Sequence, residues 1–81
     1  MALINRNDLV EIYGQEACSY CKKAVEVCET HKVPYQYYTV REDITLDEFK
    51  EMFPHARTVP QIKLNGTWIG GFKELEAEFR L

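Results

Sequence analysis

The sequence predicts an α/β domain in the order strand, helix, strand, helix, strand, strand, helix: a four-stranded mixed sheet flanked by three helices. Three observations carry this expectation. A strand-like run, a helix-like run and a second strand-like run follow one another between Leu9 and Val40, and a strand–helix–strand unit of about 30 residues closes as a right-handed parallel crossover. Asn65-Gly66 stands between two further strand-like runs, and its tolerance for left-handed backbone suits a two-residue hairpin. Helical patterns fill the remaining stretches. The chain has 81 residues, 46% of them apolar, which suits one domain spanning 1–81 and one modest core.

Taken in order, Leu9 to Tyr13 is short, rich in strand formers and closed by Gly14, so it reads as a buried first strand. From Ser19 to about His31, Cys21, Ala24, Val25 and Cys28 recur at helical spacing with Lys23, Glu26 and Glu29 between them. Pro34 separates this helix from Tyr35 to Val40, whose aromatic and β-branched content reads as a second strand. Thr45 and Glu48 have the spacing of a capping box, and Leu46, Phe49 and Phe53 mark one face of a short helix before Pro54. Gln61 to Leu64 and Thr67 to Ile69 are the hairpin strands, and Gly70-Gly71 turns the chain into a last helix, Lys73 to Arg80, with Leu75 and Phe79 inward.

Composition narrows the function. A net charge of −3 with acids and bases interspersed offers no basic stripe, so no nucleic-acid partner is expected. No apolar run approaches membrane-spanning length, and Met1 to Asp8 lacks a signal-peptide core. Three cysteines are too few, and odd in number, for a secreted disulfide framework. A reducing, cytoplasmic setting is the expectation.

Cys18 and Cys21 carry the chemistry. They fall at the start of the first helix, where free N–H groups and the positive dipole end favour a thiolate. Helical Cα atoms three residues apart lie roughly 5 Å from each other, inside the window of about 4.4–6.8 Å that a disulfide tolerates. Cys18 at the helix entrance is the expected attacking thiol, and Cys21 its shielded partner. Lys22 and Lys23 add positive charge nearby, chiefly as a solvated helix face.

Three separated motifs now resemble the glutaredoxins, the glutathione-dependent branch of the thioredoxin-like fold: Cys18-Ser19-Tyr20-Cys21, Thr58-Val59-Pro60 and Gly70-Gly71-Phe72. The resemblance runs from Leu9 to Phe79. It implies a cis Val59-Pro60 bond, which sequence alone does not determine, and a Val59 main chain that pairs with glutathione as an added strand. It also implies a glutathione cleft formed by Gln15, Tyr20, Thr58, Val59, Pro60, Gly71, Phe72 and Lys73. There the glycines admit a ligand to the backbone, while Lys73 and the last helix attract its γ-glutamyl carboxylate.

The implied reaction is attack of Cys18 on a protein disulfide or glutathione mixed disulfide, resolution by Cys21, and reopening of the Cys18–Cys21 bond by glutathione as cosubstrate. No bound cofactor or metal is required. The expected partners are glutathione and disulfide-containing proteins, with ribonucleotide reductase the client that the resemblance raises; the expected state is a monomer. Four departures qualify the match: Gln15 stands where a basic residue is common, Ser19 where proline is common, Glu74 where aspartate is common, and the last helix is short. Gln15 keeps open reduction by thioredoxin reductase, and Ser19 keeps open an iron–sulfur cluster bridged between two chains through Cys18.

Other residues have plainer roles. Cys28 belongs to the apolar helix stripe. On a continuous helix it stands about 10 Å from Cys21, too far for both to join His31 around one tetrahedral zinc ion. His31 and His55 read as capping or surface residues, Asn65-Gly66-Thr67 as a hairpin rather than a glycosylation acceptor, and Trp68 and Tyr35 to Tyr38 as sheet packing.

Overall fold

A computed structural model of the chain describes residues 7–79. Its elements are β1 (Val10–Gly14), α1 (Ser19–Thr30), β2 (Tyr35–Thr39), α2 (Leu46–Met52), β3 (Gln61–Leu64), β4 (Thr67–Gly70) and α3 (Phe72–Glu78). The order and number of elements match the sequence expectation. The last helix, expected to reach Arg80, stops at Glu78 because the Phe79 N–H closes its final turn on Glu76, and Arg80 and residues 1–6 of the stretch expected to lack a signal peptide lie outside the described residues.

The sheet runs β2-β1-β3-β4. β1 pairs with β2 in parallel and with β3 antiparallel, and β3 pairs antiparallel with β4. Strand boundaries differ from expectation by single residues for visible reasons. β1 takes in Gly14 because the parallel register continues to Thr39 and the Val40 N–H donates to the Gly14 carbonyl at 2.9 Å. Asn65 and Gly66 adopt φ of 52° and 86°, the left-handed pair of a tight hairpin. Asn65 also fastens that hairpin to the approach of β1: its Oδ1 accepts the Leu9 N–H and its Nδ2 donates to Asp8, each at 2.9 Å.

The expected single core is divided by the sheet. On one face Val10, Ile12 and Ile62 meet Ala24 and Cys28 of α1, Leu75 of α3 and Val33. On the other, Tyr13 and Val40 pack with Phe49 and Phe53 around α2. Alternation in β1 sends Ile12 to the first cluster and Tyr13 to the second. Fully burying a side chain such as Ile12, Ile62, Leu75 or Phe53 stabilises the fold by roughly 1.5–3 kcal/mol relative to exposure.

Two local devices aim the helices. Thr45 Oγ1 accepts the Glu48 N–H at 3.0 Å while Glu48 accepts the Thr45 N–H at 2.8 Å, completing the capping box of α2. α1 ends in a Schellman motif, with Val33 N–H on the Cys28 carbonyl and Lys32 N–H on that of Glu29, although Lys32 rather than glycine takes the left-handed position at φ 57°. His31 lies beside this cap, its Nδ1 2.9 Å from the Val27 carbonyl and its ring stacked on Phe79. Among the described residues, no helix is long and apolar enough to cross a membrane.

Candidate active site

Cys18 is the N-cap residue of α1, with extended backbone and a side chain that takes the place usually held by a serine or aspartate oxygen. Its sulfur accepts the Cys21 N–H at 3.2 Å, and its thiol faces the Val59 carbonyl at 3.8 Å. The N–H points positive partial charge at the atom that must carry negative charge to attack. Cys18 is partly exposed; Cys21 is fully buried one turn along. The more exposed thiol thus sits at the helix entrance and the buried one behind it, as the helical spacing requires.

Cys21 occupies a tight recess. Burial, and then the adjacent Cys18 thiol, push its thiol up to about 11; the Gln15 backbone and the Tyr37 hydroxyl act in the opposite sense. Tyr37 donates to the Gln15 carbonyl at 2.7 Å. Gly14 makes room for both groups: a Cβ there would lie 2.5 Å from Tyr37 Oη and 2.6 Å from Cys21 Sγ.

Beside Cys18 runs a groove of about 340 Å³ lined by Tyr20, Thr58, Val59, Pro60, Gly71, Phe72, Lys73 and Glu74, a volume at the small end of ligand pockets. Seven of the eight positions expected to bind glutathione meet there. Tyr20 is 53% exposed and leans on Phe72 at 5.9 Å, forming an apolar wall, with Lys23 Nζ 4.9 Å from its ring. The Val59-Pro60 bond is cis, as expected.

The two glycines of the pair are required for different reasons. Gly70 is the position that needs glycine for its backbone, at φ 123°. Gly71 lies close to the neighbouring segment: a Cβ there would sit 3.3 Å from the Pro60 carbonyl. Glu74 folds back to accept the Gly71 N–H at 2.7 Å, so that donor is already taken and an acidic group stands in the groove.

Gln15, the eighth position, is not in this groove. It lines an adjoining hollow with Lys50, Arg57 and the far side of Thr58 and Val59. The only sequence signal for these two cations is that Arg57 directly precedes Thr58-Val59-Pro60. Two cations from the α2 side, Lys50 and Arg57, therefore border the same hollow as Gln15. Beneath the loop, Gln61 donates to the Thr58 carbonyl at 2.8 Å and accepts from Trp68 at 2.9 Å, which fixes the segment from below. Cys28 packs in the core away from this site, and burial, then Glu29, push its thiol up to about 11. Among the described residues, no three His, Cys, Asp or Glu side chains gather as a metal site would require.

Comparison with known proteins places this geometry. The glutaredoxin family model matches residues 10–69. A glutaredoxin of Vibrio cholerae is 37% identical over 75 residues, covering 84% of this chain and 86% of that protein. Mitochondrial glutaredoxin-2 of Rattus norvegicus is 35% identical over 72 residues, covering 80% of this chain and 43% of that protein; the chain thus spans less than half the length of this mammalian relative. Reduced Escherichia coli glutaredoxin superposes with a TM-score of 0.72 at 30% identity, covering 85% of this chain and 89% of that one. Glutaredoxin 1 of Francisella tularensis, solved with cacodylate, gives 0.69 at 25% identity, over 86% and 90% of the two chains.

Proposed function

The chain belongs to the glutaredoxin family, and on that premise we propose that it is a glutathione-dependent thiol–disulfide oxidoreductase working in a reducing compartment. The observation that carries this reading is the asymmetry of the pair: Cys18 caps the helix at the mouth of the groove, and Cys21 is buried behind it.

Cys18 thiolate attacks a disulfide of the substrate, forming a mixed disulfide and expelling one substrate sulfur as a thiolate that takes up a proton. Cys21 then attacks Cys18 Sγ, forming the Cys18–Cys21 disulfide and releasing the second substrate thiol. One glutathione opens that bond at Cys18, and a second removes the first as oxidised glutathione, restoring both thiols. For mixed disulfides with glutathione, Cys18 and a glutathione thiol suffice.

The groove suits glutathione as follows. Its cysteine sulfur meets Cys18, and its extended backbone lies along the Val59 main chain. The γ-glutamyl end carries a carboxylate and an ammonium group, which Lys73 and Glu74 complement in turn. The opposite, glycine carboxylate points toward the hollow holding Gln15, Lys50 and Arg57.

Mass spectrometry after mixing the reduced protein with oxidised glutathione tests the assignment. The expected product is an adduct at Cys18 that resolves to Cys18–Cys21. Cys18→Ser abolishes turnover, whereas Cys21→Ser retains deglutathionylation and loses dithiol reduction of proteins. Full activity of Cys18→Ser, or electrons accepted from thioredoxin reductase in preference to glutathione when each is supplied alone, overturns the reading.

A further inference from the structure

Tyr37 lies outside all three motifs, yet its hydroxyl and the buried sulfur of the pair border the same recess beside Gly14. We propose that Tyr37 is a catalytic residue of the resolving step: its phenolic O–H is the hydrogen-bond donor that stabilises Cys21 as a thiolate while it attacks the Cys18 mixed disulfide. The proposal rests on the dithiol reading above.

Topology brings the two groups to one recess. The parallel register sets Tyr37 opposite Ile12 on β1, and the ring reaches the end of that strand, where its hydroxyl donates to the Gln15 carbonyl at 2.7 Å. Cys21 arrives at the same point from the first turn of α1. Tyr37 Oη and Cys21 Sγ both converge on the space that Gly14 leaves vacant, 2.5 and 2.6 Å from where its Cβ would be.

A buried thiolate loses solvation, and an internal donor replaces part of it. A hydroxyl has one proton and two lone pairs. With Cys21 protonated, Tyr37 gives its proton to the Gln15 carbonyl and accepts from the thiol. Once Cys21 ionises, the O–H rotates onto the sulfur.

The titratable and charged groups around these two side chains are Cys18 at the head of α1, Glu16 in the preceding turn, and Lys22, Glu26 and Tyr35 around the hollow that Tyr37 lines. Cys18 and Glu16 oppose negative charge here. Burial, and then the neighbouring Cys21, hold the Tyr37 phenol well above its ordinary value, so it remains a donor while Cys21 titrates.

The step balances without a further reagent. Cys21 yields its proton to water, and its electron pair forms the bond to Cys18 Sγ. The bond from Cys18 to the substrate sulfur breaks, and that sulfur departs with the electron pair and is protonated by water. Tyr37 changes hydrogen-bond partner and neither gains nor loses a proton overall.

Rapid-quench resolution of a protein mixed disulfide at Cys18, followed against pH in the wild type and in Tyr37→Phe, tests this role. The loss of a charged hydrogen bond, partly offset by greater nucleophilicity of the more basic thiolate, slows resolution about 3- to 15-fold at pH 7 and moves its profile up by about one to two pH units. The factor disappears when Tyr37→Phe is made in a Cys21→Ser background and deglutathionylation is read instead. In the unmodified protein, the Tyr37 ¹³Cζ resonance follows the Cys21 titration without the phenol ionising. An unchanged rate and profile in Tyr37→Phe, the same loss in the Cys21→Ser background, or a ¹³Cζ resonance indifferent to Cys21 overturns the inference and leaves the dithiol reading intact. Failure of the wild type to form the Cys18–Cys21 disulfide removes both.

Discussion

Gly14→Ala adds one carbon where the end of β1, the Tyr37 hydroxyl and the Cys21 sulfur converge. Gly14 is not among the glycines with positive φ, so alanine meets no backbone penalty there and the effect is one of packing. The new carbon would lie 2.5 Å from Tyr37 Oη, 2.6 Å from Cys21 Sγ and 3.1 Å from Cys21 Cβ, whereas unbonded atoms settle near 3.5 Å. Something must retreat by ~1 Å. If it is Tyr37, the 2.7 Å bond to the Gln15 carbonyl breaks; if it is Cys21, the first turn of α1 shifts and carries the Cys18 cap with it. Overpacking of this kind costs roughly 1–3 kcal/mol and the hydrogen bond about 1 kcal/mol, a total of about 2–4 kcal/mol. Urea unfolding at constant m-value measures it, and the alkylation rate of Cys21 reports whether the sulfur has been displaced. Gly14→Ala combined with Tyr37→Phe should regain part of the loss, because the nearest obstructing atom is then gone. A change below ~0.5 kcal/mol, within the ordinary range for harmless surface substitutions, together with an unaltered Cys21, would refute the recess described here.

Two further outcomes are expected. Arg57→Ala, alone and with Lys50→Ala, should raise the KM for glutathione about 1.4- to 5-fold per cation, as exposed charge pairs are worth ~0.2–1 kcal/mol, with kcat nearly constant and the effect shrinking in high salt; initial-rate kinetics at two ionic strengths check this. For Cys28, whose folded-state thiol is raised to about 11, the unfolded chain ionises first, so the contribution is complete below about pH 9 and is lost as pH climbs toward 11. At pH 10 that amounts to ~1.4 kcal/mol from this residue, and Cys28→Ala should flatten the alkaline fall in urea-determined stability by that amount.

The fold was largely legible because its signals are local. Thr45 and Glu48 form the capping box their spacing announced, Asn65-Gly66 makes the hairpin, and the apolar stripe of α1 buries Cys21, Ala24 and Cys28. The end of α1 was harder to locate, since Lys32 adopts the left-handed conformation without glycine to signal it. The cysteine pair was equally readable, its geometry being set within one helical turn. What escaped the sequence depends on long-range placement. Gln15 shares its hollow with Lys50 and Arg57 only because α2 packs beside the Thr58–Val59 segment. Tyr37 reaches the recess that Cys21 also borders only because β2 lies beside β1 in one register, and a one-residue slip would turn its ring to the other face. Glu74 carried a hint, three residues beyond Gly71 as in a capping box, and it holds the Gly71 N–H.

The contact between Cys18 and Val59 spans 41 residues of sequence, whereas the cap joining Cys18 to Cys21 spans three. On the proposed reading, the nucleophile is thus locally encoded and its surroundings are globally encoded. A partly opened molecule in which β3 has left β1 keeps the two cysteines close enough to oxidise, but it loses the wall that decides which disulfide may approach. Reactivity outlives selectivity along the unfolding coordinate, so discrimination between substrates is the more sensitive gauge of an intact fold.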